Sequence, residues 1–133
     1  MRSYVTDTHA LLRYCGAGRG RLPPRVRRLF LRCEAGRARI VIPVVVAWET
    51  ALLVEEGVIT LQPSFGQWWD RVAGMPTYSV FDLDLEVVKA AYGLTLLRDP
   101  SDRLIAAAAL TLGLPLISGD TMIADSGLVE ILW

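Results

Sequence analysis

The sequence predicts an α/β fold, with a parallel central sheet flanked by helices in one domain spanning residues 1–133. Three observations carry this. Short apolar runs with strand character alternate with helix-patterned stretches along the chain, and such alternation builds a parallel sheet covered on both faces. The chain has 133 residues, which suits one domain and buries roughly 65–70% of the surface its unfolded chain exposes. One stretch, residues 98–113, reads as a helix that is apolar all round, so it needs cover on every side.

The elements follow in order. Ser3 to Val5 reads as a short strand leading to Asp7. Thr8 to Tyr14 reads as helix, with Ala10, Leu11 and Leu12 apolar. The glycine-rich segment GAGRG (residues 16–20) reads as a flexible break. Pro23 and Pro24 open a second helix that places Val26, Leu29, Phe30 and Cys33 at helical spacing, with Arg25, Arg27, Arg28 and Arg32 opposite. Gly36 stops it. Arg39 to Ile42 is the second strand. Pro43 starts a helix carrying Val46, Trp48, Glu49, Leu52 and Leu53, and Gly57 ends it. Val58 to Leu61 is an extended link. Pro63 leads into an amphipathic helix with Phe65, Trp68, Trp69 and Val72.

Tyr78 to Phe81 is the third strand. Asp84 is placed to cap a helix running to Tyr92, since its side chain can accept a free backbone N–H. In RDPSDRLIAAAALTLG (residues 98–113), Asp99 takes the N-cap, Pro100 the first helical position and Gly113 the end. Leu114 to Ile117 is the fourth strand. A short helix follows Asp120, and Leu128 to Leu132 closes with the fifth strand.

Composition narrows the function. No apolar run reaches the roughly 18 residues that span a bilayer. The N-terminal MRSYVTDTHALL has no small-residue cleavage site, so a cytoplasmic protein is expected. Cys15 and Cys33 are too few and too far apart for a disulfide framework or zinc site, and are expected as reduced thiols in helices. Net charge is zero but unevenly spread. Residues 1–40 carry ten basic side chains against Asp7 and Glu34, and residues 41–133 carry four against twelve acids. All the basic residues except Lys89 are arginine, whose planar fork bonds two phosphate oxygens at once. A solvated helix face is the plain alternative for any single one.

Four acids stand out by position. Ligand sites in open α/β sheets lie outside the carboxyl ends of the strands. Asp7 follows the first strand and Asp120 the fourth. Asp102 lies in the first turn of the apolar helix, and Glu49 lies about two turns into its own helix. Taken singly, each has a structural explanation. An acid in a first turn stabilises the helix dipole by roughly 0.3–1 kcal/mol. Glu49 sits among Val46, Ala47, Trp48, Leu52 and Leu53, where a charge is costly unless paired or bound to a metal. Carboxylates that converge stay ionised together only with cations between them. All-oxygen ligands favour Mg²⁺ or Mn²⁺ over zinc. His9 is the sole histidine, which excludes a histidine-rich zinc site.

Five stretches, DTHALL (residues 7–12), VAWETALLVEEG (46–57), DPSDRLIAAAAL (99–110), LPLISGD (114–120) and VEILW (129–133), resemble PIN-domain proteins of the VapC toxin type, in the expected order over nearly the whole chain. The resemblance implies a PIN fold and a Mg²⁺- or Mn²⁺-dependent endoribonuclease. It assigns the catalytic and metal-holding roles to Asp7, Glu49, Asp102 and Asp120, taking Asp102 rather than Asp99 from the DPSD pair. Thr8 and Ser118 match hydroxyl positions beside such a site, and Asp125 could assist from behind it. Arg13, Arg25, Arg28 and Arg103 would hold flanking RNA phosphates. It further implies a cognate antitoxin and a homodimer; Phe65, Trp68, Trp69 and the apolar helix faces are candidate contact surfaces, with a place in the core the plainer reading for each tryptophan. Leu97 stands where such proteins often carry histidine. Two rivals share these residues: a metal-dependent phosphohydrolase of another substrate, and a non-catalytic RNA- or protein-binding module. A dehalogenase-type phosphohydrolase is disfavoured, since His9 occupies the place of its second aspartate.

Overall fold

The computed structural model describes residues 1–133. The strands are β1 (Arg2–Thr6), β2 (Ala38–Pro43), β3 (Tyr78–Phe81), β4 (Leu116–Ile117) and β5 (Ile131–Leu132). They form one sheet in the order β3-β2-β1-β4-β5, and every pairing is parallel. The helices are α1 (Thr8–Tyr14), α2 (Pro24–Glu34), α3 (Val44–Glu55), α4 (Phe65–Ala73), α5 (Leu85–Tyr92), α6 (Pro100–Leu112) and α7 (Thr121–Ser126).

The central strand β1 buries Tyr4, Val5 and Thr6 in succession, as expected of a strand covered on both faces. Five helices begin at an aspartate or serine whose side chain accepts one or two backbone N–H groups. Asp7 caps α1, Ser64 caps α4, Asp84 caps α5, and Asp120 caps α7. Asp99 caps α6 in the same way. Gly113 ends α6 at φ +66°, a left-handed conformation that costs glycine least.

The core is continuous. Phe30, Leu11, Leu12, Ile40, Ile42 and Ile105 are among its largest fully buried side chains. Helix α6 packs against α5, α3 and β1, and Ile105 with the following four alanines is buried. It is not covered all round, because Leu110 and Thr111 face solvent. The small alanine side chains let the helix lie close to its neighbours.

Some expectations need correcting. β4 and β5 are two residues each, shorter than Leu114–Ile117 and Leu128–Leu132. Pro115 lacks an N–H and contributes only its carbonyl, accepting from Val5 N at 2.9 Å. Trp68 and Trp69 are buried, stacked edge to face with ring centres 5.0 Å apart. They fill the core and present no docking surface. Cys33 is buried in α2, but Cys15 lies one residue past α1 as its C-cap. Both thiols are free.

Phe30 stacks on Tyr14 at 4.5 Å between ring centres and is wholly buried. Phe30→Ala should therefore lower stability by about 3–5 kcal/mol through lost burial and a cavity. Leu96→Ala, at an exposed position, should change it by less than about 0.5 kcal/mol. Urea unfolding of the two variants checks both values.

Candidate functional site

The strand order reverses beside β1. The chain proceeds outward through β2 and β3 on one side, then returns to β4 and β5 on the other. Backbones leaving β1 and β4 part there, and a crevice opens at such a switch point. Asp7 N donates to Ile117 O at 3.1 Å, which sets the carboxyl ends of the two strands side by side. The crevice is a cleft of about 290 Å³, and Asp7, Glu49, Asp102 and Asp120 all line it.

Asp7 is buried, 9% exposed. Its Oδ1 accepts from Ala10 N at 2.8 Å. Burial pushes its carboxyl above the usual range, and hydrogen bonds from Ser118 and Ala10 oppose that rise. Glu49 is half-buried on α3 and accepts at Oε1 from the Thr8 hydroxyl, 2.5 Å away. Burial raises its carboxyl, the Thr8 bond works against this, and the charge of Asp99 adds to it.

Asp102 sits in the first turn of α6. Burial, then the charges of Asp99 and Asp120, push its carboxyl up to about 7. Asp120 directs Oδ1 at Met122 N (2.8 Å) and Ile123 N (3.2 Å) of α7. Its own N–H donates to Ser118 Oγ at 3.1 Å.

The remaining expected residues divide. Thr8 lines the cleft and holds Glu49, while Ser118 is wholly buried behind it, accepts from Asp120 N and works against the rise of the Asp7 carboxyl. Arg13 borders the cleft. Asp125 is exposed on α7 and does not line the cleft. Arg25 lines a separate, largely apolar cavity of about 770 Å³ beside the start of β1. Arg28 is exposed on α2. Arg103 donates through Nε and Nη2 to Ala91 O (3.1 and 2.9 Å) and through Nη2 to Tyr92 O (2.9 Å). It thus closes the carbonyl end of α5.

Five lining residues, His9, Asp99, Ile105, Gly119 and Trp133, were not expected at the cleft. Asp99 caps α6, accepting from Asp102 N at 3.0 Å, and also lines the cleft. Capping commits one of its oxygens and leaves the other. Gly119 and Trp133 also border the cleft. A Cβ on Gly119 would lie 2.6 Å from two carbons of the Trp133 ring, so only glycine lets the indole approach. A glycine between Ser118 and Asp120 was the available signal.

Chemically the cleft offers clustered carboxylates and the Thr8 hydroxyl. No three of its acids stand close enough together to form a closed ligand set. The donor set nevertheless suits a hard divalent cation: it is built of carboxylate oxygens, and burial first, then the neighbouring carboxylates, raise Asp102 and Glu49.

The raised carboxyl of Asp102 predicts a pH dependence in the presence of chelator. The folded-state pKa of Asp102, about 7, exceeds the unfolded value of about 3.9. Between these values the folded chain holds a proton that the unfolded chain has lost, so stability falls as pH rises from about 4 to 7. Asp102→Asn should remove this part of the dependence and stabilise the chain by about 1–2 kcal/mol at pH 8, after discounting for solvent screening. Urea unfolding of both proteins from pH 5 to 8 in EDTA measures the difference.

Comparison with known proteins bears on this arrangement. A family model of the PIN domain matches residues 4–127. No curated protein matches the chain. Among solved structures, VapBC2 from Rickettsia felis bound to a promoter DNA fragment is similar with TM-score 0.70 at 14% identity, over 98% of both chains. A toxin–antitoxin complex from Klebsiella pneumoniae is similar with TM-score 0.65 at 17% identity, over 98% of this chain and 96% of that one. DNA-bound VapBC from Salmonella typhimurium reaches 0.65 at 18% identity, over 99% and 98%. At such identities the likeness is one of fold. With the family model spanning all but the ends of the chain, and one five-stranded parallel sheet flanked by seven helices beneath it, the chain belongs to the PIN-domain family.

Proposed function

We propose that the chain is a divalent-metal-dependent endoribonuclease, the toxin of a type II toxin–antitoxin pair that acts in the cytoplasm. The carrying observation is that four acids from distant parts of the sequence, Asp7, Glu49, Asp102 and Asp120, line one cleft at the switch point. Family membership and similarity to structures described as VapBC or toxin–antitoxin complexes support the same reading.

Asp7, Asp102 and Asp120 are the residues that would hold Mg²⁺ or Mn²⁺, with Glu49 completing the site. A cation held there would supply positive charge for the scissile phosphate and would make a water more acidic. The chain's own groups do the rest. Thr8 orients Glu49, whose raised carboxyl is suited to take a proton. Ser118 holds Asp7. Arg13 brings positive charge to the rim. The partners are RNA, an antitoxin and a second copy of the chain. Trp48 on α3 and Tyr92 on α5, 60% and 83% exposed, offer apolar area for protein contacts in place of the buried Trp68 and Trp69. No helix is long and apolar enough to cross a membrane.

Asp7→Asn keeps a good N-cap, so the variant should fold. It should lose at least about 100-fold in RNA cleavage, the upper loss seen even for outer-shell partners of metal sites. Calorimetric titration with Mn²⁺ should show uptake by the native chain and little by Asp7→Asn or Asp120→Asn. Cleavage undiminished in Asp7→Asn would overturn the assignment.

A further inference from the structure

The segment at residues 16–20 is ordered against the end of α1. Gly16 N donates to Arg13 O (3.2 Å), and Ala17 N and Gly18 N donate to Leu12 O (2.9 and 3.0 Å). A Cβ on Gly18 would come within 3.1 Å of Arg13 N and Leu12 Cβ, so the loop lies flush on the helix. Gly16 and Gly20 have φ +76° and +85°, the left-handed region that glycine enters freely. The loop then returns Arg19 O to accept from Arg13 Nε at 2.8 Å.

This bond fixes the Arg13 guanidinium by one nitrogen and leaves its Nη groups available. On one side stands the Trp133 ring, its centre 5.8 Å from Arg13 Cζ. Arg13 borders two cavities: the acid cleft, and a neighbouring one of about 350 Å³ lined also by Tyr14, Gly20, Arg21, Leu22 and Arg27. No carboxylate lines that second cavity. The only ion pair in the chain is Lys89 with Glu86, so none of the three guanidinium groups has a carboxylate within 4.0 Å. Glu34 shares a different cavity with Arg27 but forms no ion pair with it.

The geometry points to a phosphate subsite formed by Arg13, Arg21 and Arg27, which takes a backbone phosphate of the RNA next to the one at the acids. It rests on the ribonuclease reading above and adds to it where the substrate strand runs. Guanidinium forks bind phosphate oxygens in pairs. Arg13, common to both cavities, makes the subsite continuous with the cleft, as a polymer needs and a free ion does not. Arg21, which no sequence motif marked, is part of it.

The test uses the full chain carrying Asp7→Asn, so that RNA stays whole, with a fluorescent 12-nucleotide single-stranded RNA. Affinity is measured by anisotropy at several NaCl concentrations. Each single-strand phosphate contact contributes about 0.7 to the slope of log K against log salt. Adding Arg21→Ala or Arg27→Ala should weaken binding and lower the slope by about 0.7 each. Adding Arg37→Ala, an exposed arginine outside the cavity, should leave the slope unchanged. All three positions are exposed, and circular dichroism verifies folding. Unchanged slopes for Arg21→Ala and Arg27→Ala overturn the subsite, even where the native chain cleaves RNA and Asp7→Asn does not. An equal fall for Arg37→Ala signals diffuse attraction and overturns it as well. So does an effect of the two variants confined to binding of the antitoxin protein.

Discussion

Two residue pairs join β1 to β4: Val5 with Leu116, and Thr6 with Ile117. Backbone bonds from Val5 N to Pro115 O and from Asp7 N to Ile117 O flank them. The site depends on this short ladder. β4 ends at Ile117, Ser118 N still donates to Leu132 O at 3.2 Å, and the chain then turns away through Gly119 to Asp120. The Ser118 hydroxyl accepts the N–H of Asp120 and works against the rise of the Asp7 carboxyl. Side chains alternate faces along a strand, so a slip of one residue would send Asp7 to the opposite face and empty the cleft. The buried pairing holds the register, since Val5, Thr6, Leu116 and Ile117 are all without exposed surface.

Gathering carboxylates works against folding, and the fold offsets the cost through its helices. Asp7, Asp99 and Asp120 each sit at an N-cap, where one oxygen accepts helix N–H groups. A helix start favours negative charge by about 0.3–1 kcal/mol. Each cap leaves a second oxygen for the cleft. Glu49 and Asp102 cap nothing. Glu49 has one hydroxyl bond, from Thr8, and Asp102 has a like-charged neighbour in Asp120. The acids without helix donors are therefore those on which a cation would act most, because no helix-capping bond offsets their charge.

Local chemistry was legible in the sequence. Caps at Asp84 and Asp99, the stop at Gly113 and the strand before Asp7 need only neighbouring residues. Less legible was whatever depends on distant partners. Trp68 and Trp69 read as core or contact surface, with core the plainer choice, and the sheet decides for the core. Arg103 reads as a free cation, but its fork closes α5, which precedes it in the chain. Asp99 was recognisable as a cap, and its second role at the cleft was hidden because capping and lining are compatible in one carboxylate. The convergence of the four acids required strand order, which alternation alone does not specify.

The uneven charge of the chain acquires a spatial meaning in the fold. Residues 1–40 hold most of the arginines and residues 41–133 most of the acids, yet the crossover at β1 places Asp7, an acid of the basic half, among acids of the other. Arg13, two turns beyond Asp7, marks the border from the other side. Carboxylates alone would repel a polyanion, and arginines alone would attract one without presenting it for reaction. Separation of the two by a single side chain lets attraction and chemistry act on successive phosphates. The glycines at 16, 18 and 20 sustain that separation, since they let Arg19 O reach Arg13 Nε. A guanidinium free to swing would pair with the carboxylates beside it, at a loss to both cavities.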